Sequence, residues 1–236
     1  IKNKPIKIVV TIDASIDKGI KKVVALSTDK ASSPSNLYGA TKLASDKLFV
    51  AGNSYSGGRT RFSVVRYGNV MGSRGSVIPY FLSLAHEKAL PITDPKMTRF
   101  MITLPESVNL VWKAFDDMFG GEVYIKKIPS MRITDIAKAI CDTCEFNYTG
   151  RRPGEKLHEQ MISEEDAYYT YEYHDFFKIL PAINNWDNRA DFVKDGKKVS
   201  DNFSYKSDTN ENWMSVEELK FWIQKNTPKK TRVDNL

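Results

Sequence analysis

Apolar runs and amphipathic segments divide the first part of the chain into alternating strands and helices. The continuous apolar run at residues 23–26 is bounded by turn residues, which predicts a buried parallel strand. Residues 7–19 before it form a predicted helix that stops at Gly19, and residues 37–53 after it form a second. The run at residues 62–67 predicts the next strand. This alternation is typical of an open parallel sheet covered by helices.

The pattern of apolar positions changes in the second part of the chain. Further elements are predicted there, namely helices over residues 78–89, 105–119, 133–144 and 215–225 and a strand over residues 123–125. The segment 184–212 is rich in Asn, Asp, Ser and Lys, which favours an irregular surface segment. Residues 227–236 are predicted to form a disordered tail.

Length, composition and charge exclude several classes of protein. The chain has 236 residues, 41% of them hydrophobic, which is enough to bury a core. It contains neither the roughly 18 consecutive apolar residues of a membrane-spanning helix nor a signal-peptide pattern, so we expect a soluble, cytoplasmic protein. The net charge of +6 is dispersed rather than gathered in one basic stripe, so we expect no nucleic-acid partner.

The cysteines and the first residue carry less information. Cys141 and Cys144 are too few for a disulfide framework. Their C-x-x-C spacing can belong to a redox or metal site, but no second pair accompanies it, so we interpret the pair as incidental and expect no metal site. The chain starts at Ile1 rather than at a methionine, which suggests a truncated protein.

The most informative chemistry lies at the end of the first predicted strand and in the helix that follows. Thr28, Asp29 and Lys30 close the strand, and Tyr38 and Lys42 stand one helical turn apart. An ammonium on the same helix face can stabilise a phenolate and lower the pKa of a tyrosine. Taken alone, Tyr38 and Lys42 could be an aromatic at the edge of the core and a solvated lysine. Asp29 and Lys30 alone could be a surface ion pair. Together, at the carboxyl end of a strand, they predict redox and elimination chemistry on a sugar-like substrate.

Further motifs extend this pattern along the chain. They lie at residues 66–70, 72–76, 92–94, 97–100, 152–159 and 168–177. With them the chain resembles the extended short-chain dehydrogenases/reductases, and among these the C5-inverting UDP-N-acetylglucosamine 4,6-dehydratases of the pseudaminic acid pathway, which serves flagellin and surface glycans. Asp29-Lys30 is similar to the acid–base pair of that family, whereas glucose-type dehydratases carry Asp-Glu and simple epimerases or reductases lack the pair.

The resemblance implies a reaction and a role for each catalytic residue. Tyr38, favoured as a phenolate by Lys42, would take the proton of the sugar C4 hydroxyl as a hydride leaves C4 for the nicotinamide. Lys30, if neutral, would remove the C5 proton, and Asp29 would protonate the departing C6 hydroxyl. The hydride returns to C6, giving a UDP-4-keto-6-deoxy-amino sugar. Thr28 would bond the substrate oxygen near Tyr38.

The resemblance also implies binding residues and partners. Tyr38, Lys42 and Val70 are the expected cofactor contacts, with NADP as the cofactor and NAD as the alternative. The substrate is expected to be UDP-N-acetylglucosamine, and its expected contacts are Asn69, Arg74, Thr93, Arg99, Arg152 and Glu155. A homo-oligomer is expected, as for full-length members of the family.

One part of the family pattern is missing from the sequence. A Rossmann-type dehydratase places a glycine-rich turn after its first strand to hold the cofactor pyrophosphate, and no such turn precedes Leu26. The glycines of the 68–76 loop have the spacing G-x3-G-x2-G, which is not that fingerprint. We therefore expect an α/β fold that contains the C-terminal part of a Rossmann-type doubly wound parallel sheet plus a smaller α/β substrate-binding domain.

The expected division of the chain follows from this. Residues 1–76 would form the partial Rossmann domain with the catalytic motifs, and residues 77–226 would be mainly substrate-binding, with some elements returning to the sheet. Three functions stay open. The chain is a truncated inverting dehydratase, an inert fragment or interaction domain with an exposed sheet edge, or an epimerase or reductase of the same superfamily.

Overall fold

A computed structural model of the chain describes residues 4–73, 75–182 and 189–227, and these residues form eight α-helices and thirteen β-strands. In chain order the helices are α1 (Lys4–Asp17), α2 (Leu37–Ser56), α3 (Val77–Leu84), α4 (Leu104–Asp117), α5 (Ile133–Ile140), α6 (Glu164–Ala167), α7 (Arg189–Val193) and α8 (Val216–Asn226). The strands are β1 (Lys22–Thr28), β2 (Arg61–Tyr67), β3 (Asn69–Val70), β4 (Ala89–Ile92), β5 (Thr98–Ile102), β6 (Val123–Lys126), β7 (Ser130–Arg132), β8 (Glu145–Tyr148), β9 (Gln160–Ile162), β10 (Thr170–Glu172), β11 (Phe176–Ile179), β12 (Lys197–Lys198) and β13 (Tyr205–Lys206).

The largest sheet has six strands in the order β1-β2-β6-β11-β10-β12. The first three are parallel to one another, and the other three join them antiparallel. Alternate side chains of β2 enter different cores. Phe62 and Val64 pack with residues of α1 and α2, whereas Val65 packs with residues of α4. The sheet is therefore covered by helices on both faces, and the α/β prediction is confirmed.

Three smaller sheets lie beside the carboxyl ends of the parallel strands. β5 pairs with β3 and β7, β4 pairs with β8, and β9 pairs with β13. A second core joins α3, α5 and α8 to this region through Phe81, Ile136 and Leu219. Because β6 and β10 to β12 join the first sheet, the chain crosses between the two regions more than once. The domain boundary after residue 76 stays a prediction.

Strand β1 lies at an edge of the large sheet. Among the described residues it pairs with β2 on one side, and Leu26 is 51% exposed. Nearby on α4, which packs against β1 and β2, the exposed side chains Leu104, Val108 and Trp112 follow at intervals of four residues, so they form one apolar stripe. The strand predicted at 23–26 is present and parallel to β2, but the prediction that it is buried is wrong, because β1 lies at the sheet edge among the described residues and Leu26 is exposed.

Helix ends differ from the sequence prediction for identifiable reasons. α1 begins at Lys4, so Pro5 lies in its first turn, where the missing N–H of a proline costs no helical hydrogen bond. α2 continues through Gly52 and ends at Ser56, and Gly57, which has φ +56°, caps its C-terminus. A Cβ at Gly52 would lie 3.2 Å from side chains of Ile12 and Phe62, so this glycine allows close packing rather than ending the helix.

The second region contains three further corrections. α3 ends at Leu84 and a short 3-10 turn leads into β4, where a helix to residue 89 was predicted. α5 ends at Ile140 rather than at residue 144. Cys141 and Cys144, which follow it, are joined by a disulfide that closes this turn, so the interpretation of the pair as incidental is wrong. The segment predicted as irregular contains α7, β12 and β13 in its described part.

Helices α4 and α8 begin where the sequence supplies capping boxes. Thr103 accepts a hydrogen bond from the backbone N–H of Glu106, whose carboxylate accepts one in return, and Ser215 and Glu218 repeat this arrangement at α8. No helix in the described ranges is long and apolar enough to cross a membrane. The predicted tail lies outside the described residues apart from Thr227, and homo-oligomerisation stays a prediction.

Candidate active site

The turn that closes β1 carries the predicted acid and amine. Asp29 and Lys30 lie in a 3-10 turn, Asp29–Ala31, that Thr28 caps through a 3.4 Å hydrogen bond from the Lys30 backbone N–H to its Oγ1. The Thr28 hydroxyl donates to Asp29 Oδ1 at 2.7 Å, and Lys30 Nζ donates to the same oxygen at 2.9 Å. Asp29 is fully buried, and its Oδ2 has no hydrogen-bond partner among the described residues. The carboxylate and the amine therefore form one hydrogen-bonded pair.

The start of α2 places the predicted tyrosine beside this turn. Asn36 caps the helix by accepting a 2.9 Å hydrogen bond from the Gly39 backbone N–H. Tyr38 is 47% exposed, and Lys42 follows one turn later. Lys42 Nζ donates to the Leu26 carbonyl oxygen of β1 at 2.9 Å. Lys42 therefore joins the helix to the strand that precedes the acid and the amine.

Gly39 determines how closely α2 approaches the 3-10 turn Asp29–Ala31. A Cβ at this position would collide with the Lys30 carbonyl oxygen and would lie 2.9 Å from Pro34 Cβ. A backbone carbonyl in a capped turn cannot move aside as a long side chain can. The absence of a side chain here therefore sets the separation between Tyr38 and Lys30.

Replacing Gly39 by alanine is expected to lower the free energy of unfolding by about 1–3 kcal/mol, because it overpacks a buried contact between two backbone segments. Urea unfolding of the purified chain measures the loss. Ala40→Ser is the matched control, because it adds one atom at the next, exposed position. Equal stability of the two variants would contradict the close approach inferred for Gly39.

Lys30 is surrounded by three oxygen atoms. Besides Asp29, its Nζ donates to Asn69 Oδ1 at 3.2 Å and lies 3.7 Å from Glu159 Oε1. Burial lowers the pKa of Lys30, but the carboxylates of Asp29 and Glu159 outweigh burial and leave this pKa above its ordinary value. Lys30 is therefore an ammonium in this arrangement. A role as a base would require a neutral amine, and burial does not hold Lys30 neutral here.

An open cavity of about 890 Å³ lies next to this pair. Its wall includes nine of the predicted site residues: Thr28, Lys30, Tyr38, Asn69, Val70, Thr93, Arg99, Arg152 and Glu155. Asp29 is buried behind Lys30, and Lys42 is directed to the β1 backbone. Arg74 lies outside the described residues. The structure thus brings predicted residues from five different segments of the chain to one cavity.

Arg99 has many partners within the protein itself. Its Nη1 donates to the carbonyl oxygens of Thr98 and Leu157, at 2.7 and 3.1 Å, and its Nη2 donates to that of Lys156 at 3.2 Å. Nη2 also lies 3.7 Å from Glu155 Oε1. This guanidinium therefore fixes the 155–157 segment, and its contact with substrate stays a prediction.

The segment 154–159 also bonds directly to the catalytic turn. Lys156 Nζ donates to the carbonyl oxygen of Ser32 at 2.6 Å, while Ser35 and Asn36 donate to the carbonyl oxygen of Gly154 at 2.8 and 2.9 Å. Burial lowers the pKa of Lys156 despite the nearby carboxylates. The roles of Lys156 and Glu159 were missed because their partners are distant in sequence. The only signal was their place in the 152–159 motif.

A buried polar network supports the site from inside the fold. Asp46 accepts a 2.7 Å hydrogen bond from the Ser27 hydroxyl and lies 3.3 Å from Arg66 Nη2. Burial raises the pKa of Asp46 even though the guanidinium and hydroxyl favour its charged form. Because Asp46 stands one turn after Lys42 on α2, it fixes the same helix to β1 and β2. Its spacing from Lys42 was the signal that could have identified it.

Comparisons with known proteins agree with this geometry. The family model described as polysaccharide biosynthesis protein matches residues 1–181. The chain is 53% identical over 216 residues to the UDP-N-acetylglucosamine 4,6-dehydratase (inverting) of Campylobacter jejuni strain 81-176, covering 88% of this chain and 65% of that protein. It is 38% identical to the UDP-glucose 4-epimerase of Rickettsia conorii, covering 89% and 63%. The chain thus spans slightly less than two thirds of these relatives.

Solved structures give the same result for the fold. The structure of Pen from Bacillus thuringiensis superposes with a TM-score of 0.82 at 33% identity, covering 93% of this chain and 66% of that one. More distant structures with NAD or NADPH bound, at 16–19% identity and TM-scores of 0.54–0.56, show the fold alone. The chain has the fold of the extended short-chain dehydrogenases/reductases, as the sequence predicted. It belongs to the polysaccharide biosynthesis protein family.

Proposed function

We propose that this chain is the catalytic and substrate-binding part of an inverting UDP-N-acetylglucosamine 4,6-dehydratase that serves surface glycan or flagellin glycosylation. The observation that carries the proposal is the Asp29–Lys30 pair, which is hydrogen-bonded at 2.9 Å and whose Lys30 lines the same cavity as Tyr38. A general acid and a general base side by side are what the removal of water from adjacent carbons requires. The 53% identity to the Campylobacter dehydratase supports it.

The charge state of the pair is compatible with both roles. Removal of the C5 proton by the Lys30 amine and protonation of the C6 hydroxyl by the Asp29 carboxyl expel one water and leave an ammonium beside a carboxylate. The ion pair between Lys30 Nζ and Asp29 Oδ1, at 2.9 Å, supports this assignment of the two roles. Moving one proton from Lys30 Nζ to Asp29 restores the neutral amine and the acid without exchange with solvent.

Tyr38 and Lys42 fit the nicotinamide end of a cofactor. Tyr38 lines the cavity and is partly exposed, so its phenolate can take the proton of the C4 hydroxyl. When bound, the nicotinamide supplies the redox chemistry by accepting a hydride from C4 and returning it to C6. C5 would take a proton from solvent, and Tyr38 would release to solvent the proton that it took from the C4 hydroxyl, so the net change is the loss of one water. NADP is the proposed cofactor, with NAD as the alternative.

The far side of the cavity suits a nucleoside diphosphate. Ser76 and Val77 at the N-terminus of α3 line it, and the partial positive charge of a helix N-terminus favours phosphate. Exposed Arg152 adds a cation, and Thr93 and Asn69 add polar atoms. We propose that these groups and Arg74 hold the UDP moiety, with Glu155 and Arg99 shaping the loop that faces it.

Cofactor binding is expected to need more polypeptide than this chain. Its sequence contains no G-x-G-x-x-G turn for the cofactor pyrophosphate. The exposed edge of β1 and the apolar stripe Leu104, Val108 and Trp112 on α4 are suited to receive a further strand and helix. The alternative proposal, an inert fragment, applies to this chain in isolation.

The test uses the chain alone and a chimera that joins it to the part of the Campylobacter relative that it does not match. Each is incubated with NADP and UDP-N-acetylglucosamine, and the products are followed by NMR. The chimera is expected to form the 4-keto-6-deoxy product with inversion at C5, and the chain alone to form none. A 4-epimer of the substrate from the chimera would instead support the epimerase alternative, which the Rickettsia relative favours. No product from a folded chimera that binds NADP would contradict both enzymatic proposals.

A further inference from the structure

We propose that Glu159 is a positioning residue for the acid–base pair, whose carboxylate fixes Lys30 Nζ beside Asp29 and stabilises the ammonium that Lys30 becomes when it takes the C5 proton. Its role in elimination rests on the proposed function, whereas its effect on the Lys30 amine does not.

Glu159 lies where it can act on Lys30 without lining the cavity. It is 3% exposed, and its Oε1 lies 3.7 Å from Lys30 Nζ and 3.6 Å from Arg99 Nε. Its Oε2 is buried and has no hydrogen-bond partner among the described residues. A buried carboxylate that is incompletely hydrogen-bonded lowers the stability of the fold. A role in stabilising the fold therefore does not explain the presence of Glu159 at this position.

The backbone of Glu159 is held independently of its carboxylate. Its N–H donates to Ser207 Oγ at 2.8 Å, and the Ser207 N–H donates to the Glu159 carbonyl oxygen at 2.8 Å. Ser207 Oγ also lies 2.6 Å from Thr98 Oγ1 on β5, next to Arg99. The segment is therefore fixed by main-chain and hydroxyl contacts, which leaves the carboxylate of Glu159 to act on the two cations beside it.

The charges that face Lys30 come from three segments of the chain. Asp29 and Glu159 are the acidic groups, and Arg99 and Lys156 are the basic ones. An ammonium has three N–H donors, and the oxygens of Asp29, Asn69 and Glu159 surround that of Lys30. Burial and the nearby Asp29 raise the pKa of Glu159, against the effect of the three cations. Of these four charged groups, Asp29 would be the one acidic group acting on Lys30 once the Glu159 charge is removed.

The first experiment measures the Lys30 amine directly, in the chain as it is. Trace acetylation over a range of pH, read by mass spectrometry, gives the reactivity of Lys30 relative to the exposed Lys138. In Glu159→Gln we expect Lys30 to react about ten-fold faster at pH 8, which corresponds to a pKa lower by about one unit. Glu155→Gln is the matched control, because Glu155 also contacts Arg99 but has no ion pair with Lys30. Equal reactivity of Lys30 in the two variants would overturn the proposal.

A second variant guards against a loss of folding. Glu159→Asp keeps the charge, so its Lys30 reactivity should stay close to that of the unchanged chain, provided that both give native circular dichroism. If Glu159→Gln does not fold, a ten-fold rise in Lys30 reactivity in folded Glu159→Asp would overturn the proposal, and a near-normal value would support it.

The catalytic part is tested in the chimera. Glu159→Gln is expected to lower kcat about ten-fold or more with little change in KM and to shift the pH dependence of kcat, while Glu159→Asp restores part of it. An unchanged pH profile would overturn the role in elimination. If the unsubstituted chimera makes no 4-keto product, the proposed function fails, but the acetylation result on the chain still decides whether Glu159 acts on Lys30.

Discussion

Replacement of Lys30 by alanine in the chimera is expected to lower formation of the 4-keto-6-deoxy product by about 10²- to 10⁴-fold, the usual contribution of a positioned acid or base. Lys30 Nζ lies 2.9 Å from Asp29 Oδ1 and lines the cavity, so its removal takes away the group that accepts the C5 proton in the proposed mechanism. Oxidation at C4 depends on Tyr38 and Lys42 and should survive. The near-ultraviolet absorbance of the reduced nicotinamide should therefore rise toward one equivalent per site, while NMR detects little dehydrated product.

The control for this prediction is a lysine outside the site. Lys138→Ala removes an exposed amine and should leave both signals unchanged. Tyr38→Phe should instead abolish both the absorbance change and the product, because it blocks the first step. Product formation by Lys30→Ala at the normal rate would show that another group takes the C5 proton. The nearest candidate would then be Lys156, whose pKa is lowered by burial.

The catalytic turn could be predicted from sequence because its geometry is local. Thr28, Asp29 and Lys30 close a strand and form a short turn, and Tyr38 and Lys42 follow in one helix that Asn36 caps. Each of these relations spans at most a few residues, so spacing alone determines it. The other residues of the cavity could be predicted only from motifs that resemble the family. Such a resemblance indicates which distant segments of a chain meet, whereas periodicity does not.

The parts that could not be predicted depend on partners distant in sequence. Glu159 lies more than a hundred residues from Lys30, and nothing in its local pattern indicates that the two meet. The helix predicted over residues 37–53 continues past Gly52, and its length could not be predicted because the packing of this glycine against Ile12 and Phe62 exists only in the folded structure. The burial of residues 23–26 was overestimated for the same reason, since an apolar run does not reveal how many strands lie beside it.

Asp46 depends on distant partners in the same way, and its replacement by alanine is expected to destabilise the chain by about 3–5 kcal/mol. The carboxylate is buried between the Ser27 hydroxyl and the Arg66 guanidinium, and its removal leaves a buried cation with less compensation. Arg66 keeps the Met161 carbonyl oxygen at 2.7 Å and Asp166 at 3.4 Å, which places the loss toward the lower end. Urea unfolding followed by tryptophan fluorescence measures it.

A double replacement separates the ion pair from simple packing. If the cost of Asp46→Ala comes from the uncompensated Arg66 charge, the pair Asp46→Leu with Arg66→Met should be more stable than Asp46→Leu alone, because the apolar pair leaves no buried charge. If the two changes instead add independently, the network does not couple α2 to β2. Coupling would mean that the buried Asp46–Arg66 ion pair, one helical turn from Lys42, holds α2 in place beside the Asp29–Ala31 turn. The geometry of the acid–base site would then depend on a contact that no substrate touches.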